Sequence, residues 1–240
     1  MISYFTAIDS LMKKVFLEDK QAVKRIADEM TKRLSSGGII QLFGCGHSHL
    51  IAQEPYYRSG GLVPVCPIFV EPLMLHDGAI ESSKNEKDPD FIHSFVGQLD
   101  IRPEDTVIVI STSGRNPVPI EVAMKAKERE AYTISIQSLC YSGEKSHSKH
   151  ISGKRLEDVV DDVLNTHVPI GDGLLETNGL LYAPASSVIG NTLLHATFTS
   201  VIEKMIENGL EPPIFKSGNV DGSTEHNEQL VQKYKERILF

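Results

Sequence analysis

The sequence predicts an α/β protein built on a doubly wound parallel sheet of about five strands, a three-layer α/β/α arrangement. Short apolar runs typical of strands alternate with amphipathic segments typical of helices. The clearest run, 106–110, is apolar almost throughout, as expected of a parallel strand that is buried on both faces. Hydrophobic residues make up 40% of the 240 residues, which is enough for a core.

The predicted elements follow one another along the whole chain. Apolar residues at helical spacing predict two helices within residues 1–36, with a polar break at 18–20 and Asp19 as the cap of the second helix. Pro64 and Pro67 favour an edge position for the second strand. Strands are predicted at 39–43, 63–70, 106–110, 131–136 and 159–164, and helices at 48–58, 72–80, 88–99, 117–129, 174–181, 187–208 and 225–238.

No linker or change in composition divides the chain, so we expect one domain over residues 1–240. Within it we distinguish leading helices over 1–36, an α/β core over 37–208 that ends in a long helix, and a C-terminal tail helix over 209–240.

The composition excludes several classes of protein. A net charge of −8 and a pI near 5.6 argue against a nucleic-acid partner. The three cysteines are widely spaced, which argues against a disulfide framework or a structural zinc site. No basic segment followed by an apolar run opens the sequence, and no apolar stretch approaches the ~20 residues of a membrane span, so we expect a cytoplasmic protein.

Two loops follow predicted strands and suit an anionic ligand. Glycines directly after the first strand allow a ligand to approach the backbone, and the loop supplies Gly44, Gly46 and Ser48. The dinucleotide fingerprint requires a third glycine where His49 stands, although Glu71 could supply its acidic residue, so a dinucleotide-dependent oxidoreductase ranks last.

The second loop is richer in hydroxyl groups. Asn116 can cap the next helix and Pro117 can be its first residue. Hydroxyls and free N–H groups at a helix N-terminus suit a phosphate dianion, to which Arg115 could add charge. The loop consists of Ser111, Thr112, Ser113, Gly114, Arg115 and Asn116.

The pair of loops resembles the sugar isomerase (SIS) domain, which has Gly-x-Gly-x-Ser after its first strand and Ser-x-Ser-Gly after a later one. The resemblance covers about residues 20–208, and Ser-Thr-Ser-Gly is most like phosphoheptose isomerases. It implies a flavodoxin-like doubly wound sheet, a phosphosugar ligand at the two loops, and assembly as a homodimer or homotetramer. A further phosphate-contacting serine of those isomerases falls at Asn116.

The resemblance also suggests catalytic residues. Phosphoheptose isomerases carry a glutamate in the first helix about where Arg58 stands, so Glu54, one turn earlier, is the first candidate for a base. A helix from the same part of those chains as His195 supplies a catalytic histidine. Weaker candidates at predicted strand ends are Glu71, His76 and Glu176. Paired histidines at 47 and 49 and at 147 and 150 lack a third ligand, so we expect no metal, although some related isomerases use zinc, and no cofactor.

The reaction implied most simply is aldose–ketose isomerisation of a sugar phosphate. Two alternatives remain open. SIS domains also serve as non-catalytic phosphosugar sensors in regulators. The glutamate followed by Pro55 also resembles the N-acetylmuramic acid 6-phosphate etherase branch, which would imply lyase or etherase chemistry on an amino-sugar phosphate.

Overall fold

The computed structural model describes residues 1–143 and 147–240. Five strands form one parallel sheet: β1 (Ile40–Gly44), β2 (Val65–Pro67), β3 (Thr106–Ile110), β4 (Tyr132–Gln137) and β5 (Asp162–Asn165). Their order across the sheet is β2-β1-β3-β4-β5, and β2 occupies the predicted edge. This flavodoxin-like order places a switch point between β1 and β3, where the chain winds away in opposite directions. The predicted fold class is confirmed.

Helices cover both faces of this sheet because its strands are apolar on both sides. One layer contains α1 (Ile2–Ser35), α2 (His47–Gln53) and α5 (Ser186–Glu207), whose apolar residues pack with the side chains of Ile108 and Ile110. The other layer contains α4 (Pro117–Glu128) and a run of 3-10 turns, which pack with Val107 and Val109. The remaining helices are α3 (Ala79–Asn85) and α6 (Ser223–Tyr234).

The prediction of two leading helices is wrong, because residues 2–35 form the single helix α1. Asp19 does not cap a second helix but lies buried within α1. Its carboxylate lies 2.6 Å from His167 Nε2 and accepts a 3.3 Å hydrogen bond from the backbone N–H of Asn165. The polar residue at the expected break therefore ties the middle of α1 to the end of β5.

The predicted helix over 174–181 is also wrong. Residues Gly173–Thr177 and Leu180–Pro184 are two antiparallel strands, β6 and β7. Their two-residue loop is Asn178-Gly179, with φ of +49° and +79°. Positive φ at both positions is the requirement of a type I′ hairpin turn, for which Asn-Gly is the preferred sequence.

Three further helices are shorter than expected or take another form. α2 ends at Gln53 rather than at 58, because Pro55 has no N–H with which to continue the helix. The segment predicted as a helix over 88–99 forms 3-10 turns at Phe91–Ser94 and Val96–Gln98. The segment predicted at 72–80 forms 3-10 turns at Glu71–Leu73 and Leu75–Asp77, followed by α3.

The C-terminal tail packs beside the amino-terminal ends of the strands. The Phe215 N–H donates to the Gly61 carbonyl ahead of β2, and Arg237 binds Asp105 immediately ahead of β3. Asp105 is fully buried, and its carboxylate also accepts hydrogen bonds from Ile39 and Gln41. The tail is thus anchored away from the carboxyl ends of the strands. Within the described ranges, no helix is long and apolar enough to cross a membrane.

Candidate functional site

The two predicted loops meet at the switch point of the sheet. The last residues of β1 and β3, Gly44 and Ile110, are register partners, so both loops leave the sheet at the same level. The chain after β1 enters α2 in one layer, and the chain after β3 enters α4 in the other. A crevice between diverging loops at the carboxyl ends of parallel strands is the usual ligand site of such sheets.

The loop after β1 turns sharply into α2. A side chain at Gly44 would bring its Cβ within 2.5 Å of the Ser48 carbonyl group, so glycine here allows α2 to pack against the end of β1. Gly46, at φ +56°, is the N-cap residue of α2. Ser48 stands in the first turn and is partly exposed at the crevice. Gly44 is therefore required for the packing of α2, whereas the sequence had indicated only that it lets a ligand approach the backbone.

The loop after β3 is fixed to its surroundings through its carbonyl groups. The Gly114 carbonyl accepts from Leu156 N–H at 2.9 Å, and the Arg115 carbonyl accepts from Lys149 N–H at 2.8 Å. Arg155 Nη2 donates to the Ser113 carbonyl. Because C=O and N–H point in opposite directions across a trans peptide, the N–H groups that follow Gly114 and Arg115 face away from the segment that holds the carbonyls.

Donors in this loop are left without acceptors. Among the described residues, none accepts from the backbone N–H of Thr112, Ser113, Arg115 or Asn116. The same part of the chain offers no hydrogen-bond partner to a set of four hydroxyls around the crevice. They belong to Ser48, Ser111, Thr112 and Ser113. Buried hydroxyls without a partner among the described residues also occur elsewhere, at Thr31, Thr106, Ser135 and Thr166, so the distinguishing feature of this loop is that unpaired hydroxyls and unpaired backbone N–H groups occur together. Unpaired donors concentrated at one place suit an oxyanion ligand.

The first turn of α4 contributes fewer donors than the sequence suggested. α4 begins at Pro117 as predicted, but Pro117 and Pro119 have no N–H, and the Val118 N–H donates to the Glu86 carbonyl at 3.3 Å. Asn116 is the N-cap residue but makes no side-chain cap bond, because the two N–H groups it would reach are absent or taken. The predicted positions of Asn116 as N-cap and Pro117 as first helical residue are confirmed, although the Asn116 side chain does not cap the helix. The donors come from the loop instead.

Glu86 is a residue of this site that sequence reasoning missed. It follows α3, and its carboxylate accepts a hydrogen bond from Asn116 Nδ2 at 2.9 Å. Burial raises the pKa of this carboxyl above its usual value, although the Asn116 hydrogen bond and the charges of Lys87 and Lys149 act in the opposite direction. The sequence carries no local signal for it, because Glu86 sits in a charged stretch that is typical of solvent-exposed surface.

The two predicted catalytic residues contact each other. His195 Nε2 on α5 lies 2.5 Å from Glu54 Oε2, just beyond the end of α2. The other carboxylate oxygen of Glu54 pairs with Arg58 Nη1 at 2.9 Å. The side chains of Glu54 and His195 are 26% and 39% exposed, so solutes can reach both. Glu54 lies seven residues beyond His47, the first residue of α2. At a rise of 1.5 Å per helical residue, Glu54 is about 10 Å along the helix from the crevice loops.

The weaker candidates lie elsewhere. Glu71 and His76 line a cleft of about 630 Å³ beside the end of β2, and Glu176 is exposed on the β6–β7 hairpin. His49 is buried, and burial lowers its pKa, whereas His47 is exposed. In the described ranges, no three His, Cys, Asp or Glu side chains are grouped so that they could hold a metal ion.

The fold and the crevice define a doubly wound α/β protein with an oxyanion-suited loop at its switch point. Comparison with known protein families identifies the family to which it belongs. The model of the SIS domain matches residues 3–138, more than half of the chain. The chain therefore belongs to the SIS-domain family.

Curated relatives match over nearly the whole length. The UPF0309 protein of Geobacillus kaustophilus is 52% identical over 237 residues, which cover 98% of this chain and 94% of that protein. The UPF0309 protein in the nagA 3′ region of Lysinibacillus sphaericus is 48% identical over 240 residues, covering 100% of this chain and 98% of that protein. The chain thus groups with the UPF0309 proteins.

Solved structures share the fold at low sequence identity. The phosphoheptose isomerase GmhA of Neisseria gonorrhoeae is similar with a TM-score of 0.54 and 18% identity, over 84% of this chain and 96% of that one. The NanR protein of Vibrio vulnificus, solved in complex with ManNAc-6P, is similar with a TM-score of 0.54 and 14% identity, over 96% of this chain and 67% of that one.

Proposed function

We propose that this protein binds a phosphorylated sugar at the β1/β3 crevice and interconverts its aldose and ketose forms. The observation that carries the proposal is the set of unpaired hydroxyls and N–H groups around Ser111–Gly114. A phosphate group presents oxygens that accept from several such donors at once. Membership of the SIS family and the fold shared with a phosphoheptose isomerase support a sugar phosphate as the ligand class.

The phosphate would serve as the handle that positions the sugar. The hydroxyls of Ser48, Ser111 and Ser113 would donate to it, together with the N–H groups of the second loop. Binding energy from this remote, unreactive group then places the reacting carbons, which is an efficient use of binding energy in catalysis. An extended sugar chain reaching from the loops toward the end of α2 would bring C1 and C2 to Glu54 and His195.

Glu54 would act as the base that moves a proton between C1 and C2. His195, hydrogen-bonded to it, would carry protons to and from the carbonyl and hydroxyl oxygens of the substrate. Isomerisation needs such a base and a donor that polarises the carbonyl. Arg58 would hold the second oxygen of Glu54 and fix the orientation of the carboxylate. We also propose that the whole chain, residues 1–240, works as one domain with neither a metal nor a cofactor.

A second candidate is a phosphosugar sensor without catalysis. One observation favours it: both oxygens of the Glu54 carboxylate are already engaged, one by His195 and one by Arg58. Neither oxygen is then free to accept a proton from a substrate carbon unless one of these contacts breaks. The ion pair of Glu54 also supports the alternative that α2 and α5 are simply held together there. The NanR structure, a SIS-like fold with a bound sugar phosphate, is consistent with this role.

Isotope exchange distinguishes these candidates. A panel of hexose, heptose, pentose and amino-sugar phosphates is incubated with the protein in D₂O and followed by NMR. Isomerisation predicts deuterium at C1 or C2 together with the partner sugar. Binding without exchange for every sugar selects the sensor, and release of lactate from N-acetylmuramic acid 6-phosphate selects the etherase.

Variants then assign the residues. Glu54→Gln should abolish exchange while sugar-phosphate binding persists. Glu81→Gln, on exposed α3, is the matched control and should exchange at the wild-type rate. Full exchange by Glu54→Gln would contradict the role given to Glu54.

A further inference from the structure

Glu86 joins the end of α3 to the start of α4. Its carbonyl accepts from the Val118 N–H at 3.3 Å, and its carboxylate accepts from Asn116 Nδ2 at 2.9 Å. Both bonds place Glu86 beside the loop whose N–H groups lack acceptors. The amide side chain of Asn116 is committed to Glu86, while its backbone N–H is one of the unpaired donors.

This placement puts a negative side chain next to a proposed anion site. A dianionic phosphate on the N–H groups of the loop would lie near the Glu86 carboxylate. Asn116 links the two, because its backbone N–H is one of the donors and its side-chain amide is bound to Glu86. Like charges at such separation repel strongly wherever water is partly excluded, and the repulsion disfavours the ionised form of the carboxyl.

Charged and titratable groups on neighbouring segments surround this carboxyl. Lys87 follows it in sequence, Lys149 approaches from the segment that holds the second loop, and the Cys45 thiol faces it from the loop after β1. The two lysines and the Asn116 amide favour the ionised form. Burial outweighs them and raises the pKa in the protein without ligand, so the carboxyl already takes up a proton more easily than an exposed glutamate.

We propose that Glu86 couples phosphosugar binding to proton uptake: when phosphate occupies the loop at Ser111–Asn116, a proton from solvent moves onto the Glu86 carboxylate. The inference rests on the proposed function and names a regulation of that same site. The protonated carboxyl still accepts from Asn116 and gains an O–H that can donate to a phosphate oxygen. Glu86 is thus a positioning residue that makes the site tighter for anions as the pH falls.

The sign of the pH effect follows from linkage. If the complex binds more protons than the separate partners, affinity falls as pH rises, by about tenfold per pH unit at most for one proton. The phosphate ester acts in the opposite direction as the pH rises through its second pKa of about 6, because it then becomes the dianion, which binds more tightly to the loop donors. A variant whose residue 86 cannot be protonated separates the two effects, because the ionisation of the phosphate is the same for the variant and for wild type.

Isothermal titration calorimetry measures the uptake directly. The probes are inorganic phosphate and sorbitol 6-phosphate, which carries a sugar chain but no carbonyl to isomerise. Titrations between pH 5.5 and 7.5 in buffers of different ionisation enthalpy give the number of protons bound with the ligand. Wild type is expected to take up more protons than Glu86→Gln. That variant keeps an oxygen to accept from Asn116, and its affinity should equal or exceed that of wild type at pH 7.5.

The controls make the outcomes distinct. Glu81→Gln removes a carboxylate from the exposed face of α3 and should retain wild-type proton uptake. Equal uptake by wild type and Glu86→Gln, with binding intact, overturns the coupling and leaves the proposed function standing. If neither probe nor any sugar phosphate of the panel binds the wild type, the proposed function fails and the coupling fails with it.

Discussion

His195 Nε2 and Glu54 Oε2 lie 2.5 Å apart, although 141 residues separate them in the sequence. The contact joins the end of α2 to the middle of α5 in the layer that also contains α1. The resemblance to SIS-domain enzymes indicates each side chain separately as catalytic, Glu54 from the first helix after β1 and His195 from the long helix α5. Their hydrogen bond makes them one unit, a carboxylate and an imidazole that can pass a proton between them.

The first prediction concerns this pair. Glu54→Gln and His195→Asn should each lower kcat for isomerisation about 10²- to 10⁴-fold, the usual contribution of a positioned acid or base. KM should change little, because the proposed phosphate contacts lie about 10 Å away. Steady-state kinetics on the sugar phosphate that shows exchange test this. A rise in KM with unchanged kcat would indicate that the pair only binds the substrate.

The second prediction concerns Gly114. Its φ of +60° costs a non-glycine residue about 1–2 kcal/mol, and a Cβ here would stand 2.7 Å from Gln137 Oε1. Gly114→Ala should therefore lower the free energy of unfolding and shift the loop that carries the unpaired donors. Gly209→Ala is the matched control, since its φ is +72° and its Cβ would meet nothing within 4 Å. Weaker sugar-phosphate binding in the first variant alone is expected, and equal binding in both would contradict this account of the loop.

The third prediction concerns the anchor of the C-terminal tail. Arg237 Nη2 lies 2.7 Å from Asp105 Oδ2, and its side chain is 10% exposed. Arg237→Ala leaves the fully buried Asp105 without this charge, which should cost about 3–5 kcal/mol of unfolding free energy. Urea denaturation of this variant beside Lys235→Ala, an exposed neighbour, measures the difference. A loss below about 1 kcal/mol would mean that the tail contributes little to stability.

The fourth prediction concerns assembly. Large apolar side chains of α1 remain uncovered in the single chain, with Phe5 66%, Phe16 68% and Leu17 63% exposed. Beside Phe16, an apolar groove of about 380 Å³ runs between α1 and α5. We propose that a second copy covers this surface, since apolar patches of this kind mark interfaces. Light scattering should give a dimer or tetramer for wild type and for Lys14→Glu, and a monomer for Phe16→Glu; a monomeric wild type would overturn the proposal.

Sequence patterns predicted the parts of the fold that depend on local residues. The strand over 106–110 was correct at both ends, because a run buried on both faces is apolar whatever surrounds it. The hairpin at 173–184 was missed since its leucines lie at spacings that also suit a helix, although Asn178-Gly179 was a readable turn signal. The helix break predicted at Asp19 was wrong because this polar residue lies inside α1 to bind His167, which is 148 residues away in the sequence.

The same distinction holds for the site. Ser48 and Ser111–Gly114 could be predicted as a binding site because glycines and hydroxyls after a strand are local features, and the structure places both loops at the same end of the sheet. Glu86 was missed because its burial depends on α4 and on the loop after β1, which the sequence alone does not place. The donors of α4 were overestimated, although Pro117 and Pro119 were visible in the sequence as residues without an N–H.

Binding of a sugar phosphate to wild type and to a Ser111→Ala/Ser113→Ala double variant decides whether the loop after β3 holds the phosphate. Thermal shift across the panel, with free sugars and NAD as controls, reports binding, since a ligand at ~100 times its Kd adds roughly 2.7 kcal/mol of stability. We expect a shift with a sugar phosphate that the double variant loses and that Ser36→Ala, on the surface after α1, retains. A shift with NAD alone, or a sugar-phosphate shift unchanged in the double variant, would contradict this expectation.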